Sequence, residues 1–100
     1  MKNGGGRPGG VMVALLDSAM AEAALSRIHV ACEVATIDLH VAFLSPASGP
    51  FTAAARPTGG GRSVCFCEAE LADAGGRVVA KAMGTYRYRP PGSVQSDTDR

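Results

Sequence analysis

Residues 11–25 form an apolar run broken only by Asp17, Ser18 and Glu22. Alanine and leucine dominate the stretch and neither Gly nor Pro interrupts it, so one helix is expected from Gly10 to about Ser26. The small side chains of Ala14, Ala19, Ala21, Ala23 and Ala24 give that helix a thin profile. A thin helix that is apolar on every side has to be wrapped. The run falls short of the roughly 20 apolar residues of a membrane span, so a buried helix is expected. Asp17, the only charged side chain between Arg7 and Glu22, is the exception. A lone carboxylate there must reach a wet cleft or be buried at heavy cost, and active sites are where such costs are tolerated. The structural alternative is an Asp17 that caps neighbouring backbone or faces solvent.

Beyond the helix the apolar period becomes two. Ile37, Leu39, Val41 and Phe43 alternate with Thr36, Asp38, His40 and Ala42, predicting a long strand with one greasy and one polar face that ends at Leu44, Ser45 and Pro46. A turn rich in Ser, Pro and Gly leads to a second strand from Phe51 to about Arg56, and residues 57–62 read as a hairpin loop. Residues 63–72 form the third strand, with Val64 and Phe66 on one face and Cys65, Cys67, Ala69 and Leu71 on the other. After a turn at 73–76, residues 77–87 form the fourth, with Val78, Ala80, Ala82, Gly84 and Tyr86 on one side. One helix followed by four antiparallel strands, the last three a meander, is an α+β layer architecture. Residues 1–89 read as a single domain, and the polar tail at 90–100 as disordered.

A chain of 100 residues has room for one core. A net charge of +1 without basic runs argues against a nucleic-acid surface. The N-terminus lacks the apolar stretch of a secretory signal, so cytoplasmic residence is expected. Cys32, Cys65 and Cys67 imply no disulfide framework, and with no Cys or His at ligand spacing around Cys65 and Cys67 no metal site is expected. Gly4, Gly6 and Gly9 satisfy G-x-G-x-x-G, but no strand can precede them, so a dinucleotide fold is set aside.

Four segments taken in order, residues 9–19 (GGVMVALLDSA), 35–47 (ATIDLHVAFLSPA), 67–80 (CEAELADAGGRVVA) and 83–87 (MGTYR), resemble the hotdog-fold acyl-CoA thioesterases of the phenylacetate-degradation type. The resemblance runs from residue 8 to about 89 and implies a helix wrapped by an antiparallel sheet. It also implies a homodimer or homotetramer with acyl-CoA in a cleft at the dimer interface. Asp17 aligns with the family's catalytic carboxylate. Gly9 and Gly10 match the pair at the helix start that aims a backbone N–H at the thioester oxygen, and Thr36 falls where a Ser or Thr, typically from the other subunit, orients water. The implied reaction is hydrolysis of an acyl-CoA thioester to acid and CoA, with no metal or redox cofactor. The chemistry also makes sense without the family: free N–H groups at a helix N-terminus suit an oxyanion. Gly10 and Asp17 lie roughly 10 Å apart along the axis, so a substrate beside the helix could meet both.

Two departures from the family stand out. Pro8 replaces the His that usually precedes the glycine pair, and the family carries a further helix and strand upstream. The sheet is therefore expected to lack an edge strand next to the Phe51 segment, and a truncated gene product or a misplaced start codon is the expected cause. These departures sustain an alternative, a catalytically silent hotdog module that binds acyl groups or a partner chain. Arg62 and Ser63 follow a glycine run where the phosphates or pantetheine of CoA could be gripped, or where they serve only the turn. Glu68 and Glu70 share a face as solvated strand residues, Asp38 and His40 share one with Thr36, and His29 reads as a loop histidine. Ser18 reads as a helix serine bonded to its own backbone.

Overall fold

The computed structural model describes residues 8–91. Helix α1 (Pro8–Ser26) is followed by strands β1 (Glu33–Phe43), β2 (Thr52–Gly60), β3 (Val64–Ala72) and β4 (Val78–Arg89). Proline suits the first turn of a helix because its missing N–H would be unpaired there anyway. The strands form one antiparallel sheet in the order β1-β4-β3-β2, with the last three a meander as expected. Among the described residues β1 and β2 are the edges of the sheet. The tail at 92–100 and the glycine-rich residues 1–7 lie outside the described residues.

Helix and sheet meet through one stripe. Met12, Leu16, Met20 and Ala24, each four residues apart, are buried against Cys65, Cys67, Ala69, Leu71, Ala80, Ala82 and Tyr86. That spacing brings successive side chains to one side of the helix. The sheet packs against this stripe, and Val11, Leu15 and Leu25 on other sides of the helix are exposed. By length and hydropathy alone Gly9–Ser26 would be enough to cross a membrane, so counting only the 11–25 run understates it. Cys65 and Cys67 behave as small core residues, whereas Cys32 is only half-buried, and burial pushes Cys67 up to about 12.

Two strand expectations change. Strand β2 does not end near Arg56 but continues through Pro57 to Gly60, with a register shift between Pro57 and Gly59. An edge strand tolerates proline and a bulge because one side of it has no ladder to break. Gly60 closes the strand with φ +131°, a conformation L side chains rarely adopt, and a Cβ there would meet the Val64 carbonyl and the Arg27 guanidinium. The second change is a bulge in β1 at Ile37: Thr36 pairs with Tyr86, whereas Asp38 pairs with Thr85 and Leu39 with Gly84. Opposed residues share a face, so Thr36 joins Leu39 and Val41 on the helix side while Asp38 and His40 point outward. Thr36 thus leaves the polar face that strict alternation assigns it, and Ile37, expected on the greasy face, is 49% exposed.

Candidate active site

Three elements converge on Asp17, which sits in the middle of α1 and is half-buried. From β4 the Tyr86 hydroxyl donates to Asp17 Oδ1 at 2.7 Å, and from the β1 bulge the Thr36 hydroxyl donates to the same oxygen at 3.1 Å. Among the described residues Oδ2 accepts no hydrogen bond, and it is not sealed from solvent. A carboxylate with one oxygen held by two donors has a fixed orientation and leaves its second oxygen able to accept a further hydrogen bond.

Tyr86 is fully buried, and only the absence of a side chain at Gly84 makes room for its ring. A Cβ at Gly84 would lie 2.9 Å from Tyr86 Cε2 and 3.1 Å from its hydroxyl. Burial first, then the hydrogen bond to Asp17, raises the Tyr86 phenol above the usual tyrosine range. Sequence reasoning placed Tyr86 on one side of the fourth strand with Ala82 and Gly84 but assigned it no role; its signal is the Gly84-x-Tyr86 spacing, small then large on one face.

Gly9 and Gly10 occupy the first turn of α1, and a Cβ on either would meet nothing within 4 Å. Gly9 borders an open groove of about 430 Å³ lined by Met12, Phe43, Leu44 and Pro46 among others. The helix is continuous between Gly9 and Asp17, which sets them about 12 Å apart along the axis. Such a separation is too large for both to act on one carbonyl, so a substrate beside a single helix cannot meet both ends of the chemistry. Thr36 donates to the Asp17 of its own chain.

Arg62 and Ser63 form the β2–β3 turn at the far end of the helix, where Arg27 donates to the carbonyls of Gly59 and Gly61. The Ser63 carbonyl accepts from the Tyr88 N–H at 2.9 Å, and Arg62 is exposed with no partner among the described residues. Glu68 and Glu70 lie on the outer face, paired with Arg56 and Lys81. Among the described residues no group of three His, Cys, Asp or Glu side chains is placed to hold a metal ion.

The chain belongs to the thioesterase superfamily, whose family model matches residues 9–80. Its helix and four-stranded antiparallel sheet are those of a hotdog fold, which the solved relatives share. A phenylacetic acid degradation-related protein of Ralstonia eutropha superposes with a TM-score of 0.74 at 31% identity, covering 86% of this chain and 66% of that one. A thioesterase of Haemophilus influenzae gives a TM-score of 0.78 at 24% identity over 90% of this chain and 64% of its own. A Bacillus halodurans protein solved with CoA gives 0.74 at 22% identity over 79% and 56%; at such identities the likeness is one of fold. A Saccharolobus solfataricus protein with a provisional esterase name is 34% identical over 86 residues, 85% of this chain. The chain spans 61% of that relative's length.

Proposed function

We propose that the chain hydrolyses an acyl-CoA thioester, with Asp17 as the hydrolytic carboxylate. The observation that carries this reading is the Asp17 carboxylate, held at Oδ1 by Tyr86 and Thr36 and open at Oδ2, in a chain of the thioesterase superfamily. Oδ2 takes the proton of an attacking water, or attacks the carbonyl itself to give an anhydride that water opens. Both routes build negative charge on the carbonyl oxygen, to which the N–H groups at a helix start can donate hydrogen bonds.

Within one helix those N–H groups are about 12 Å from Asp17. We therefore place the reaction between two copies, the start of one helix facing Asp17 of the other. The exposed Val11, Leu15 and Leu25 and the unpaired β1 edge support such an association. Arg62 offers the CoA phosphates an unpaired guanidinium. The reading requires no metal or redox cofactor and fits a cytoplasmic enzyme.

Pro8, which stands where the family has His, supports a second reading, a silent module that binds acyl groups or a partner chain. Incubation with acyl-CoAs of graded chain length and with aryl-CoAs, followed by thiol release, separates the two. Release of CoA with at least one substrate is expected; no release with any would favour the binding module.

A further inference from the structure

We propose that Tyr86 is the positioning residue of this site: with Thr36 it occupies Asp17 Oδ1 and so selects Oδ2 as the oxygen that meets water or thioester. The inference rests on Asp17 being the hydrolytic carboxylate and adds a residue with a distinct role.

The geometry is specific. Tyr86 is fully buried, yet its one polar atom lies 2.7 Å from Oδ1 and 3.4 Å from the Asp17 backbone carbonyl. A buried hydroxyl needs a partner, and here the partner is the carboxylate. Tyr86 stands opposite Thr36 across the β1–β4 ladder, so the bulge at Ile37 brings both hydroxyls to the same oxygen. Gly84 leaves the space the ring fills. The groups facing the phenol are Asp17 from α1, uncharged Thr36 from β1 and Cys67 from β3, whose thiol is itself raised by burial. Nothing among them competes with Asp17 for the proton donated. Two hydrogen bonds to one carboxylate oxygen oppose the rotation that would exchange the two oxygens, and misorientation of a reacting group is expensive in rate.

The test uses the full chain. Tyr86→Phe keeps the ring and removes the donor, and kcat should fall about tenfold to a hundredfold with KM within about twofold of wild type. Retained kcat in a folded Tyr86→Phe protein, or a change confined to KM, would overturn the proposal. A second measurement is independent of turnover and of that variant's folding. The chain has two tyrosines, so in Tyr88→Phe the remaining phenol is Tyr86, and its ultraviolet titration can be followed alone. It should ionise above the ordinary tyrosine value of about 10 and move down when Asp17→Asn is added. A phenol that titrates normally, or ignores Asp17→Asn, would also overturn the proposal. Failure of the wild-type chain to hydrolyse any acyl-CoA would instead defeat the thioesterase reading, with the titration still deciding the Tyr86–Asp17 contact.

Discussion

Replacing Gly84 with Ala puts one methyl group where the Tyr86 ring sits. The added Cβ would lie 2.9 Å from Tyr86 Cε2, 3.1 Å from its hydroxyl and 3.3 Å from Met20 Cε. Carbon atoms rest about 3.5–4.0 Å apart, so the ring has to retreat by roughly 0.6–1 Å. The hydroxyl begins 2.7 Å from Asp17 Oδ1, and hydrogen bonds between oxygens fade beyond about 3.0 Å, so that retreat takes the donor out of range. Overpacking costs about 1–3 kcal/mol, while alanine in a strand returns about 0.5–1 kcal/mol relative to glycine. The net loss is about 1 kcal/mol, a fall in Tm of about 4–8 °C for a domain of this size. A melt followed by circular dichroism measures it, and thiol release from an acyl-CoA should show kcat lowered as in Tyr86→Phe. The cost belongs to the ring, so in a Tyr86→Leu background Gly84→Ala should become neutral or stabilising. An unchanged Tm and kcat, or the same loss in both backgrounds, would refute the reasoning.

Two further outcomes are expected. Arg62→Ala should raise KM for acyl-CoA several-fold with kcat unchanged, as loss of a contact made equally in ground and transition states does; a drop in kcat alone would contradict the assignment. Stability should be fully present below about pH 9 and decline as pH rises towards about 12. Cys67 is raised from its ordinary 9.0 to about 12, and Tyr86 is raised as well, so the unfolded chain releases those protons first. Tm measured from pH 8 to 11 should fall in the wild type and fall less in Cys67→Ala.

The helix was legible as an apolar run rich in alanine and leucine, and β3 and β4 as alternating segments, with the face assignments of Cys65, Cys67, Ala69 and Leu71 following from alternation alone. The far end of β2 was not, because Pro57, Gly59 and Gly60 carry turn signals that an edge strand overrides with ladder bonds to β3. The β1 bulge was equally hidden. Alternation is a local rule, whereas the shift at Ile37 is fixed by pairing with β4 some 50 residues away. Asp17 declared itself as a charge in an apolar run, but which hydroxyls meet it depends on that shift and on the space at Gly84. Strict period two would have turned Thr36 away from the site.

The account stands most directly on the rate of Asp17→Asn. Asparagine keeps an oxygen that can accept from Tyr86 and Thr36, so fold and Tm should remain close to wild type, while the group that activates water or attacks the thioester is gone. Acyl-CoA hydrolysis by the purified variant should fall in kcat by about 10²- to 10⁴-fold. A folded Asp17→Asn protein that turns over acyl-CoA at the wild-type rate would contradict it.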